Sequence, residues 1–352
     1  MNNPNVTDMY VVNNGLVHVK CQGSDPTDHT VVAQILHDVQ SGANFTYWQG
    51  SGRIWLDMEE RADNDPDCAR IVLSQKNHTF VNTARHTIEG TGRFSGGGLR
   101  NEGLVRSVGT KGQLILYCTA RNNKGKPIQV RESGRLVAAN PGGMYLGLSN
   151  PANNVWEFNN LGLVEARTGS FIHFGTNATW KSSTNENQKP LGALALDGGV
   201  FAGGGRFDAE EDFLVCKNTA AAVTIAPGDL ANSDGTGAST CGQLTFGRSL
   251  TMLKSVSVAD LQFGSAPRRG DSIVVEGALH LAGKIRISSV DGTPPRGTYR
   301  VFTCTPGQLE VEDDVWTTME LADGIKKPTV TVNAAAGTVD FTWPNSLVVI
   351  VR

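Results

Sequence analysis

Apolar positions along this chain fall in short runs of about 3 to 6 residues, and glycine or Asn-Gly breaks the runs apart. One phrase recurs: a polar residue, a spacer, glycine and an apolar pair, with a second glycine opening another apolar run. It reads Asn101-Glu-Gly103-Leu-Val-Arg and continues to Gly112-Gln-Leu-Ile-Leu-Tyr. It returns as Glu132-Ser-Gly134-Arg-Leu-Val-Ala-Ala with Gly143-Met-Tyr-Leu, and again as Asn160-Leu-Gly162-Leu-Val-Glu-Ala with Gly169-Ser-Phe-Ile-His-Phe174. A fainter relative stands at Asn13-Asn-Gly15-Leu-Val-His-Val19. The leading glycines of the three clear copies are 31 and 28 residues apart (103 to 134, 134 to 162).

Each copy holds two short strands, with glycine supplying the positive φ that turns require. Such a unit cannot bury its apolar face alone, so neighbouring copies must stack. A period near thirty with two or three strands predicts one coil of an all-β solenoid, a right-handed parallel β-helix. Leu104, Leu136, Leu163 and Ile172 are expected to point inward. Asn101, Asn159 and Asn160 are placed to form hydrogen-bonded ladders at the turns. A β-sandwich needs hairpins with tight turns, and a propeller needs four-strand blades; neither signature is present.

One short helix is expected near the N-terminus, over Asp28 to Gly42. Asp28 or Thr30 would cap it, and Val31, Val32, Ile35, Leu36 and Val39 would share a face. Three sections follow from these patterns: an N-terminal segment or cap at 1–84, repeats at 85–225 and a C-terminal section at 226–352. The joint is the Gly-, Ser- and Asp-rich stretch Ala226 to Gly242, and one continuous stack is expected across it.

The stretch Asn160-Leu-Gly-Leu-Val-Glu-Ala-Arg-Thr-Gly-Ser170, with Thr87-Ile-Glu-Gly-Thr-Gly-Arg-Phe-Ser-Gly-Gly97 before it, resembles repeats of large secreted bacterial β-helix proteins. These are the autotransporter-passenger-like and surface-sorted proteins of Gram-negative bacteria. Later segments, including Gly270-Asp-Ser-Ile-Val-Val275 and Gly297-Thr-Tyr-Arg-Val-Phe302, are similar to the C-terminal part of that group. The resemblance covers roughly residues 85–350. It implies export, a cell-surface setting and adhesion, and it carries over no catalytic residue.

Composition agrees with a chain that turns often: 41 glycines, and only 18% charged residues. A hydrophobic share of 39% excludes general disorder. The net charge of −3 supplies no field for nucleic acid. Six cysteines have no C-x-x-C spacing, which excludes zinc-ribbon and thioredoxin-like sites. They are either disulfides or buried free thiols, and Cys216 with Cys241, 25 apart, is the first pair to test. The longest late apolar run, Leu347 to Val351, is too short to cross a bilayer. Export would therefore depend on a signal and an anchor outside this sequence.

No nucleophile elbow, zinc helix or Walker loop occurs. Asp63-Asn-Asp65-Pro-Asp67 spaces carboxylates as a calcium loop does, but it lacks glycine at the sixth position and has Ser74 at the twelfth. A solvated loop is the plainer reading. Asp208, Glu210 and Asp212, near Arg206, are the acids best grouped for sugar hydrolysis or for Ca²⁺. Their plainer reading is a solvated turn, and His173 reads as an outward, solvated strand residue. Trp48, Trp55, Trp156 and Trp180 are the aromatic candidates for stacking on a ligand. The expectation is a monomeric secreted or cell-surface rod for binding, adhesion or rigid display, without catalysis or cofactor. Its partner would be a glycan or a host or cell-surface protein, with no nucleic acid. The alternative is a polysaccharide lyase or glycoside hydrolase on the same scaffold.

Overall fold

The computed structural model describes residues 8–21, 33–37, 45–58, 68–75, 78–118, 128–148, 156–176, 194–215, 222–230, 240–254, 257–264, 269–292 and 295–344. The described residues are all-β, with no helix, and their strands fall into three sheets of eleven, eleven and twelve strands. Up to the strand Gly297–Thr303 the chain visits the sheets in strict rotation, so each strand before it pairs in parallel with the strand three places later. We call one passage through the three sheets a tier. The first tier is Met9–Val12, Leu16–Lys20 and Ala33–His37. The second is Phe45–Gln49, Arg53–Asp57 and Ala69–Leu73, and the third is Thr79–Asn82, Thr87–Gly90 and Gly92–Gly96. The strand Thr79–Asn82 pairs with Gly98–Asn101, and Val223–Pro227 is a single strand, so the sheets continue past residues 84 and 225.

Alternation decides what faces where, because successive strand side chains point to opposite sides. In Ser257–Phe263 every second residue, from Ser257 to Phe263, is buried. Inward side chains from all three sheets meet in one core. Its ten largest fully buried side chains are all phenylalanines, which suits an interior filled by stacking like on like. The glycine-led phrases align in register, with Leu104 opposite Arg135 and Arg135 opposite Leu163. Leu136 and Ile172 point inward as expected, but Leu104 and Leu163 do not. The inward residues of their strands are Val105 and Val164. An apolar pair such as Leu-Val does not reveal its own parity; the stacked partner decides it.

The corner between the first two sheets holds buried asparagines. Asn82 donates from Nδ2 to Asn101 Oδ1 at 2.8 Å, and Asn101 donates to the Arg135 carbonyl at 2.9 Å. Asn160 donates to the Val200 carbonyl at 3.1 Å. The one Asn–Asn rung therefore joins Asn101 to the unforeseen Asn82. Val130 stands between Asn101 and Asn160 in register, so Asn160 bonds backbone instead of extending a ladder, and the Asn159 side chain lies outside the described residues.

The N-terminal helix is corrected. At the centre of the expected span, Ala33–His37 is a strand paired in register with Ala69–Leu73. Its exposure alternates residue by residue up to buried His37. Ile35 and Leu36 fit a helical face on paper, but the parallel neighbour supplies a full ladder of hydrogen bonds that an isolated helix turn cannot match.

A disulfide joins Cys21, at the end of a first-tier strand, to Cys68, at the start of a second-tier strand, across 47 residues. Cys118, Cys241 and Cys304 are free thiols, and Cys216 lies outside the described residues. Cys241, in the first pair to test, is a free thiol, and the disulfide joins adjacent tiers instead. Reduction and alkylation of Cys21 and Cys68 should cost about 2–4 kcal/mol. Denaturant melts with and without reductant will read this, with protection lost first in the first two tiers. At the other end, the third sheet closes on an antiparallel hairpin, Thr329–Asn333 with Thr338–Trp343, preceded by Lys326-Lys327-Pro328.

Candidate functional site

Residues from separate tiers meet on the outer faces, and two of the charged columns hold residues singled out in the sequence. On the third sheet, Arg206–Ala209 turns Phe207 inward and sets Arg206 and Asp208 outward. Arg206 Nε–H donates to Asp208 Oδ1 at 2.7 Å. The same guanidinium grips both oxygens of Glu276, one of them from Nη2 at 2.7 Å. These hydrogen bonds raise Arg206 above its ordinary pKa and hold the Glu276 carboxyl below the usual range. Asp212 Oδ1 accepts from the Ser249 amide at 3.1 Å, which pins a turn. Asp208 is thus paired with Arg206 and Asp212 anchors backbone, while Glu210 follows half-buried at a bend. Nothing here pairs two carboxylates across a substrate gap.

His173, opposite Asp208 in register, stacks on Tyr145 at 5.2 Å. It is outward but half-buried rather than solvated. Burial lowers its pKa; Asp208 and Glu210 pull it back up, and Arg248 adds to the lowering.

The tryptophans separate. Trp48 is 6% exposed, faces inward, and stacks on Phe80 at 5.7 Å. It is a core residue, because its strand parity places it opposite the outward Tyr47. Trp156 lies in a strand whose side chain is not described. Trp180, Asp63, Asp65 and Asp67 lie outside the described residues.

Of the described candidates, Trp55 faces outward. Arg53–Asp57 sends Ile54 and Leu56 into the core and Arg53 and Trp55 out, with Asp57 buried beside them. The tier below places Leu16 under Arg53, His18 under Trp55 and Lys20 under Asp57. The tier above places Glu89 over Trp55, and the next places Arg106 over Glu89. His18 stacks flat on Trp55 at 4.5 Å, and its Nε2 lies 2.8 Å from Asp57 Oδ2. Arg53 lies 5.9 Å from the Trp55 ring and donates to Glu89 Oε1 at 2.7 Å. Arg106 grips Glu89 Oε2 at 2.6 and 2.8 Å.

Neither protein-family models, curated proteins nor solved structures match this chain. The chemistry of the cluster has to be read from its own geometry. Two guanidiniums share the Glu89 carboxylate and Lys20 stands opposite Asp57 in register, so three cations face two carboxylates and one positive charge is in excess. Half of the Arg53 side chain remains exposed (48%). An aromatic edge, an imidazole held by a carboxylate and an accessible guanidinium suit a ligand with hydroxyls and negative charge. Among the described residues no group of three or more His, Cys, Asp or Glu forms a metal site, and no helix is long and apolar enough to cross a membrane.

Of this cluster, only Trp55 is visible as a candidate in the sequence. His18 and Asp57 are 39 residues apart, and Arg53 and Glu89 are 36 apart. The available signal is the glycine alignment: Gly15 and Gly52 start matching strands, so the third residue after each, His18 and Trp55, must stack.

Proposed function

We propose that this chain is an exported right-handed parallel β-helix, displayed at a Gram-negative-type bacterial surface as a rigid binding and adhesion rod without catalysis. The hand follows from general chirality, since about 98% of crossovers between parallel strands of one sheet are right-handed. Eleven tiers at the interstrand spacing make a rod about 50 Å long. The disulfide between Cys21 and Cys68 supports an oxidising compartment outside the cytoplasm. The partner is a glycan or a host or cell-surface protein, and the rod acts as a monomer, which light scattering will check.

The observation that carries the binding reading is Trp55, outward and flanked by His18 and Arg53 from the same cluster of tiers. Purified protein should be retained on immobilised acidic glycans more than on neutral ones. Trp55→Ala should weaken retention about tenfold, the order expected for losing one aromatic contact. Equal retention by wild type, Trp55→Ala and Arg53→Ala would move the binding face elsewhere.

A second reading, a carbohydrate-active enzyme on the same scaffold, is favoured by one observation. The 2.8 Å contact of His18 with Asp57 orients an imidazole as a general base is oriented. The same glycans should therefore be assayed for new reducing ends and unsaturated products. Turnover that disappears in His18→Ala would make the protein an enzyme.

A further inference from the structure

Three of the seven histidines, His37, His78 and His86, are buried inside the first three tiers, at 9%, 1% and 0% exposure. The other described histidines, His18, His173 and His280, sit half-buried on outer faces. Hydrogen bonds fix what two of the inner rings can be. The Asn13 amide donates from Nδ2 to the Arg53 carbonyl at 3.3 Å and accepts from the Gly15 amide at 3.0 Å. That orientation aims an N–H at His86 Nε2, 3.1 Å away, so Nε2 must accept. On the ring's other side, Asn82 already donates from Nδ2 to Asn101 and to the Leu104 carbonyl. Its Oδ1 therefore accepts from His86 Nδ1–H at 2.7 Å. His86 is held as a neutral ring with both nitrogens committed.

His37 is held in the same state by a different partner. Its Nε2 accepts the indole N–H of Trp48 at 3.0 Å, and an indole nitrogen can only donate. The edge of Phe80 closes the ring in at 5.7 Å. His78 Nε2 lies 2.7 Å from Thr46 Oγ1. Among the described residues, the only titratable group acting on His37 is His78, and burial alone acts on His86. The nearby Arg53 and Glu89 side chains point outward, to the Trp55 cluster. A second proton on either ring would set N–H against N–H in an apolar interior.

We propose that buried His37 and His86 make the first three tiers an acid-sensitive unit, which opens below neutral pH while the later tiers stay folded. Opening would expose Trp48 and Phe80, break up the outer column of His18, Trp55 and Glu89, and so release whatever that column holds. The Cys21–Cys68 disulfide keeps the first tier tethered to the second in the opened form.

The sign follows from where the protons bind. Burial pushes His37 and His86 down to about 4, and His78 adds to the lowering of His37. An opened tier returns each ring to about 6.5. Between those values the open form binds more protons, so closure is fully favoured above about pH 6.5 and weakens as pH falls towards 4. The opening equilibrium should rise by up to about thirtyfold per histidine at pH 5.

Hydrogen exchange resolved by peptide, with labelling times corrected for intrinsic rates, tests this on the intact chain from pH 7.5 to 4.5. Protection should fall in peptides covering residues 8–96 and persist beyond residue 98. Protection lost evenly along the chain, or retained at pH 4.5 in the first three tiers, overturns the proposal. His37→Gln and His86→Gln remove the titrating group. Each should loosen the first tiers at neutral pH and flatten the pH profile there, and a profile parallel to wild type would likewise overturn it.

Discussion

Gly90→Ala should destabilise the fold by about 3–5 kcal/mol, although it adds only one methyl group. Gly90 has φ of 112°, a region that other residues enter only with strain. An added Cβ would lie 1.9 Å from the Leu56 carbonyl oxygen and 2.8 Å from Trp55 Cδ1. The oxygen cannot yield. It accepts the Thr91 amide at 2.9 Å, Leu56 pairs with Gly90 in register, and the Leu56 side chain is fully buried. Gly292→Ala is the matched control, because Gly292 also has positive φ, 71°, but its added Cβ meets nothing within 4 Å. It should cost about 1 kcal/mol. Denaturant melts of the two variants will separate steric contact from backbone preference; equal losses would remove the contact from the explanation.

Phe207→Ala should cost about 3–5 kcal/mol, the range for emptying a buried phenylalanine site. Phe207 is fully buried and touches three other rings: Phe174 at 6.1 Å, Phe201 at 6.0 Å and Phe246 at 5.7 Å. Those rings come from strands Phe171–Thr176, Gly199–Gly203 and Gln243–Phe246, so the cavity would sit between neighbouring tiers. Because tiers contact only their neighbours, exchange should quicken first in residues 156–246. Phe207→Leu should recover most of the loss. If Phe207→Ala instead melts like wild type, the phenylalanine stack is not a main source of stability.

How far the sequence reveals this architecture can be judged from single residues. Gly103, Gly134 and Gly162 mark true equivalence, since the residues after them stack in register. Glycine is readable at these three positions because an added Cβ would lie within 2.2–2.3 Å of a backbone oxygen of the neighbouring tier. The inward choice between Leu104 and Val105 is not readable, because both are apolar and the burial depends on the adjacent tier. Ala33–His37 fails for a related reason: Ile35 and Leu36 satisfy a helical period as well as a strand, and only the partner Ala69–Leu73 decides. Trp55 is recognisable as an aromatic on a strand, whereas Trp48, seven residues earlier, is the same residue type with the opposite parity. His18, Asp57, Glu89 and Arg106 become one cluster only when the rotation through three sheets is known. Their chemistry belongs to the stacking and not to any local motif.

The hairpin that ends the third sheet has a consequence for behaviour in concentrated solution. A bare parallel edge can recruit a strand from another molecule and template a fibril. Here Thr338–Trp343 runs against Gly297–Thr303 and is itself covered by Thr329–Asn333, so the last parallel edge of that sheet is occupied from within the chain. The strand left outermost is preceded by Lys326-Lys327-Pro328, two like charges and a residue without an amide hydrogen. Lateral recruitment at this edge is disfavoured by these gatekeeping residues, and a variant lacking both lysines should nucleate aggregates sooner.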